Sequence, residues 1–192
     1  MPRANQLEVD RACVLMIDVQ EKLLPLIADR QRVLNACRKL LDGVRIFELP
    51  VVATEQYPHG LGPTHETLQL GLEATRATVV EKPTFSGWAH PAVRDMLAKL
   101  GRPQVVVAGI EAHVCVQQTA LDLAASDYQV FVCADAIGSR GPMDFEMALH
   151  RMRQGGVYVT TVESVLFEWC GRCDTARFKQ MLGVIKAAPP AG

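Results

Sequence analysis

The sequence predicts an α/β domain, with a mostly parallel sheet covered by helices on both faces. Apolar runs of strand length alternate six times with amphipathic helical stretches, and the connections between them are of ordinary length. No repeat or low-complexity tract breaks the alternation. With 192 residues, 49% of them hydrophobic, the chain suffices for one sizeable core and is short for two. One domain is therefore expected, over residues 7–187.

Residues 12–17 form an apolar run that reads as a first buried strand, and Asp18-Val19-Gln20 stands where the pattern breaks. An aspartate at that point either faces the crevice at the carboxyl edge of the sheet or caps the next segment. From Arg32 to Phe47, the positions Val33, Cys37, Leu40, Val44 and Phe47 repeat at helical spacing. Pro50 introduces a second strand over 51–54, followed by a Pro/Gly-rich loop over 55–63 of the kind that lines sites in such folds.

Residues 78–81 make a third strand, closed by Lys82, which Pro83 keeps out of helical geometry. This lysine is either a solvated charge or a group of the crevice. Val93, Met96, Leu97 and Leu100 mark a further amphipathic helix. The valine-rich run from Val105 ends at Gly109 and reads as a fourth strand covered on both faces, then a turn, then a helix. Cys115 falls in the first turn of that helix, where unpaired N–H groups and the helix dipole favour thiolate. It is either a nucleophile or a small buried hydrophobe.

A fifth strand spans 129–133, and residues 134–142 read as a second site-facing loop. A helix from Met143 to Arg153 uses its methionines to fill core gaps. Gly155-Gly156 ends it, a sixth strand follows over 157–161, and Phe178, Met181, Leu182 and Ile185 place a last helix before a Pro-rich tail.

Twenty basic residues against twenty-one acidic leave a formal net charge of −1, with no basic block, so neither nucleic acid nor a membrane surface is expected as partner. The longest apolar runs fall well below the roughly 20 residues of a bilayer span, and the first residues lack a signal-peptide core. A cytoplasmic location is expected. It suits the six cysteines, three of which (Cys13, Cys37 and Cys133) lie inside apolar patterns. Cys170-Gly171-Arg172-Cys173 has the spacing of a redox pair or half a zinc site, but no second pair accompanies it, and it is placed after a strand. The dinucleotide fingerprint and the P-loop are both missing.

Asp18, Lys82 and Cys115 close strands one, three and four, so the topology puts them on one edge of the sheet. A carboxylate to take the thiol proton, an ammonium beside it and an attacking sulfur form a coherent set. The segments Leu15-Met16-Ile17-Asp18-Val19-Gln20, Glu81-Lys82-Pro83-Thr84-Phe85-Ser86 and Val107 to Val116 with Thr119-Ala120 resemble the isochorismatase-like cysteine hydrolase superfamily. Thr54-Glu55-Gln56-Tyr57-Pro58 with Gly60-Leu61-Gly62 is most similar to its small isochorismatase-domain-containing members.

The resemblance implies a three-layer α/β/α fold with a six-stranded parallel sheet in the order 3-2-1-4-5-6, and an Asp18-Lys82-Cys115 triad. It also implies a cis peptide at Ile110-Glu111 and an oxyanion hole from the N–H groups of Glu111 and Cys115. Gln20 matches a position beside the acid, and Tyr57, Phe85 and Trp88 are expected as aromatic walls for the substrate. Nicotinamidases carry an Asp-x-His metal motif after strand two, which Glu55-Gln56-Tyr57-Pro58-His59 does not reproduce. No metal and no cofactor are therefore expected, and His59, His65 and His113 are assigned no catalytic part.

The expected activity is hydrolysis of a small amide or carbamoyl compound through a covalent thioester, by a homo-oligomer acting on a small-molecule substrate. Two other readings remain at this point. One is a non-catalytic interaction protein on a retained scaffold. The other is a thiol-redox protein working through Cys170 and Cys173.

Overall fold

Why the first strand is central follows from its composition: every residue of β1 (Ala12–Ile17) is apolar, and every one is buried. The computed structural model describes residues 5–187. In it β1 pairs in parallel with β2 (Val51–Gln56) on one side and β4 (Gln104–Ile110) on the other. The edge strand β3 (Thr78–Lys82) lies beyond β2, while β5 (Gln129–Gly138) and β6 (Tyr158–Thr160) lie beyond β4. The sheet order is 3-2-1-4-5-6, and all five pairings are parallel.

The two-residue period of a strand splits β1 between two cores. Val14 and Met16 join Val106, Ala108 and Ile110 of β4 under α1 (Arg30–Phe47), α3 (Glu66–Ala74), α7 (Val162–Cys170) and α8 (Ala176–Lys186). Cys13, Leu15 and Ile17 join Val105 and Val107 under α4 (Pro91–Leu100), α5 (Gln117–Ala124) and α6 (Pro142–Gln154). A four-residue helix, α2 (Pro58–Leu61), occupies part of the loop after β2. Pro58, Pro91 and Pro142 each open a helix, where a missing N–H costs nothing.

The structure departs from the sequence reading in several places, among them β2, which runs two residues past its expected end to Gln56. Helices α3 and α7 were not expected; each is only nine residues long. Strand β5 runs on to Gly138, through most of the expected second loop, because its register against β4 shifts: Val107 pairs with Val132, but Gly109 pairs with Ile137. Arg32 of α1 takes the carbonyls displaced by that shift, at Ala134, Asp135 and Ile137. Only residues 139–141 remain as loop. Cys170 ends helix α7 rather than following a strand, and Gly171, at φ +63°, turns the chain out of that helix. The Pro-rich tail lies outside the described residues.

Candidate active site

The site is built where β1, β2, β3 and β4 end. Gly109 makes the approach possible. Its φ is +127°, and a Cβ there would stand 2.0 Å from the carbonyl oxygen of Ile17, so only glycine lets β4 lie against the end of β1. The next residue of β1's chain, Asp18, adopts φ +51° and is fully buried. Its N–H donates to the Thr54 carbonyl at 3.0 Å. Carboxylate oxygen Oδ1 accepts from the Thr54 hydroxyl at 2.7 Å, and Oδ2 from the Lys82 ammonium at 2.6 Å.

Lys82 is 1% exposed, among the largest fully buried side chains of the protein. Besides Asp18, its Nζ faces Gln56 Oε1 at 2.9 Å and the carbonyls of Thr84 and Phe85 at 3.0 and 3.3 Å. A charge this deep survives only when paired and hydrogen-bonded, and removing one partner of such a pair costs about 3–5 kcal/mol. The solvated-charge alternative for Lys82 is therefore set aside.

Cys115 lies in a π-helical turn, Ala112–Val116, that leads into α5. The Ile110–Glu111 peptide that precedes it is cis. The Glu111 carbonyl accepts the N–H groups of Val114 and Val116, at 3.1 and 3.2 Å, and passes over that of Cys115 between them. The sulfur stands 4.0 Å from Gln56 Oε1, the oxygen that also accepts from Lys82, and the charges of Asp18 and Lys82 both act on it.

The expectation that a helix N-terminus holds Cys115 as thiolate is corrected. Burial pushes its thiol up to about 12; the Asp18 carboxylate raises it further, and Lys82 only partly offsets the two. Desolvation wins because the sulfur is 6% exposed and precedes the regular helix rather than standing in its first turn.

The other expected site residues are divided. Tyr57 and Phe85 stand on the rim, 62% and 57% exposed. Trp88 does not face the site: its ring packs edge-on against Tyr128, 5.3 Å between centroids, over the second core. Gln20 is spent on the backbone, since its amide bonds the N–H and carbonyl of Gln56 and the carbonyl of Gly62. It braces the loop after β2, fully buried, with its Nε2 spent on two carbonyls. The Glu111 side chain takes Arg140, and His113 bonds Ser139 at 3.0 Å, so both tie the 139–141 loop to the Cys115 turn.

Two residues were missed. Thr54 orients the Asp18 carboxylate, and Gln56 bridges Lys82 and Cys115. The available signal was Thr54 at the carboxyl end of the expected second strand and Gln56 in the site-lining loop expected after it, but the register Gln56↔Lys82 was not readable from one chain.

His65 caps α3, its ring accepting the Thr67 N–H, and among the described residues no group of three His, Cys, Asp or Glu side chains is placed to hold a metal ion. Two surface clefts, of about 840 and 640 Å³, are lined by none of the three central residues. No helix among the described residues is long and apolar enough to cross a membrane.

Known proteins share the sequence pattern and the fold. Residues 12–164 match the isochorismatase domain model. The chain is 40% identical over 174 residues to isochorismatase domain-containing protein 1 of Salmo salar, covering 90% of this chain and 60% of that protein, so it spans about three fifths of that relative's length. Among solved structures it resembles a MAR1 ribonuclease of Caenorhabditis elegans, with TM-score 0.89 and 35% identity over 97% of this chain and 95% of that one. It also resembles the Escherichia coli YcaC gene product, described as an octameric hydrolase of unknown specificity, with TM-score 0.88 and 26% identity over 96% and 92% of the two chains.

Proposed function

The chain belongs to the isochorismatase family, and from that premise we propose that it is a cysteine-dependent hydrolase of small amide or carbamoyl compounds, acting through a thioester on Cys115. The supporting observation is a fully buried carboxylate–ammonium pair, Asp18 and Lys82, at the carboxyl edge of the sheet, whose charges act on the Cys115 thiol and whose lysine shares Gln56 Oε1 with that sulfur. Because burial keeps that thiol protonated at neutral pH, the nucleophile is made during the attack. The S–H proton passes to Asp18 as sulfur bonds the carbonyl carbon, and the carbonyl π pair moves to oxygen.

The N–H groups of Glu111 and Cys115 hold that oxyanion. It collapses, the C–N bond breaks, and the leaving nitrogen takes the proton back from Asp18. Water then gives a proton to Asp18 and attacks the thioester. The C–S bond breaks, sulfur recovers the proton, and the acid product leaves. Lys82 stays an ammonium throughout and orients the carboxylate, while Gln56 holds Lys82.

Several further expectations belong to the same reading. The substrate is a small molecule, and no metal or cofactor takes part. The domain spans residues 7–187. A homo-oligomer is proposed, supported by the octameric YcaC neighbour and by exposed apolar side chains such as Leu26, Tyr57, Phe85 and Met143. Free thiols at all six cysteines support the cytoplasm as its location. The ribonuclease activity for which the C. elegans protein is named is not carried over, because this chain has a net charge of −1 and no basic tract.

The test is a screen of small amides, ureas, carbamoyl compounds and single-stranded RNA with wild type and Cys115→Ala. Turnover of a C–N substrate is expected and should fall at least about 10³-fold in the variant. Equal turnover in the variant, or hydrolysis of RNA alone, would overturn the reading.

A further inference from the structure

Lys82 does not hold its place unaided. Two of the four oxygens around its ammonium are main-chain carbonyls, those of Thr84 and Phe85, in the loop after β3. Whatever fixes that loop against Cys115 also fixes the separation of cation and sulfur. Thr119, fully buried and four residues beyond Cys115, makes the connection. Its hydroxyl donates to the Cys115 carbonyl at 2.6 Å and accepts the Gly87 N–H at 2.8 Å.

A threonine hydroxyl returning to the carbonyl four residues back is common in helices. The second bond is different. It crosses 32 residues to a loop that nothing in the helix requires it to reach. Three residues further along α5, on the same face, the Asp122 carboxylate accepts from the Ser86 hydroxyl at 2.6 Å, so the loop is strapped to the helix at two adjacent points.

We propose that Thr119 is a positioning residue for the Cys115–Lys82 pair, its single hydroxyl setting the separation of cation and sulfur by joining the Gly87 amide to the Cys115 carbonyl. This rests on the reading of Cys115 as the nucleophile. Thr119 touches no reacting atom and acts through two main-chain groups. Removing the oxygen while keeping the shape leaves a buried N–H unpaired and frees the loop to shift. Of the two charges beside the sulfur, Lys82 lowers the thiol and Asp18 raises it, so a receding Lys82 leaves less thiolate.

The experiment uses the full chain, alkylated with iodoacetamide between pH 7 and 9 and read by peptide mass at Cys115, with the exposed Cys173 as internal reference. Thermal melts check folding. Thr119→Val is expected to slow Cys115 about tenfold relative to Cys173, the equivalent of one unit of thiol acidity. Thr119→Ser, which keeps the oxygen, should stay within about twofold of wild type. Should valine not be accommodated, Thr119→Ala must show the same slowing.

A Cys115 rate in the folded valine or alanine variant that is unchanged, or raised by exposure of the sulfur, overturns the positioning role. Asp18→Asn separates the two levels of inference: losing its charge should speed Cys115 alkylation. A responsive Asp18→Asn beside an unresponsive Thr119→Val overturns only Thr119, whereas no response to Asp18→Asn overturns the site itself.

Discussion

Cys13 and Cys115 lie in the same apolar cluster on the same face of the sheet, and burial pushes both thiols up to about 12. Their surroundings differ completely. Cys13, the second residue of β1, has the Arg102 charge acting on it and no carboxylate among the causes that raise it. Cys115, just beyond the end of β4, is acted on both by the Asp18 carboxylate, which raises it, and by the Lys82 ammonium, which lowers it. The acidity of the resting thiol therefore does not distinguish a reactive cysteine from a packed one. On the reading proposed above, what distinguishes them is the carboxylate and ammonium that act on Cys115 at the carboxyl edge of the sheet.

The most severe way to break this contrast is to remove the acceptor. Asp18→Asn keeps the shape but cannot take the thiol proton, so turnover of a substrate found in the screen should drop about 10²–10⁴-fold. Cys13→Ala should leave turnover within about twofold, since it removes only a packing atom. If both variants retained equal turnover, the two thiols would be equivalent and the contrast would fail.

A second difference is spatial. At Gly109 the backbone of β4 touches that of β1, and a Cβ would stand 2.0 Å from a carbonyl oxygen, whereas Gly183 on α8 has open space around it. Gly109→Ala should destabilise the fold by more than about 3 kcal/mol, read from urea midpoints. Gly183→Ala should instead stabilise it by about 0.5–1 kcal/mol, the ordinary gain for alanine in a helix. Equal midpoints would show that the end of β4 is not the tight junction described.

The smallest effect tests what the two thiols share. Both have folded values near 12 against an ordinary value of 9.0. Each therefore keeps its proton in the folded chain while the unfolded chain loses it above pH 9. Their contribution to stability is complete below pH 9 and declines as pH rises from 9 toward 12. Under reducing conditions, Cys13→Ala and Cys115→Ala should each flatten the fall in denaturation free energy between pH 8 and 10 by on the order of 1 kcal/mol. A steepened fall would reverse the sign of the argument for that thiol.

Much of this site was legible in the sequence, and the reason lies in where its residues stand. Asp18, Lys82 and Cys115 each interrupt an apolar pattern at a strand end, and in a parallel sheet those ends share one edge. What was not legible is how polar side chains are spent. Gln20 and Trp88 have the chemistry of site residues, yet one is consumed by the backbone of Gln56 and Gly62 and the other by Tyr128. Gln56 and Thr54 lay in plain view at the end of the second strand, but their partners lie 26 and 36 residues away. The nine-residue helices α3 and α7 show the same limit, since so short an amphipathic stretch barely declares its period.

By itself the sequence determined the alternation of strands and helices, the burial of β1 and β4, and the polar residues Asp18, Lys82 and Cys115 at three strand ends. Each of these is a matter of residue type at short spacing, which local physics reads directly. Tertiary structure alone decided the state of the Cys115 thiol, the extension of β5 and the bracing of Lys82. Those depend on desolvation, on strand register and on hydrogen bonds between distant loops, and such quantities exist only once the chain has closed on itself.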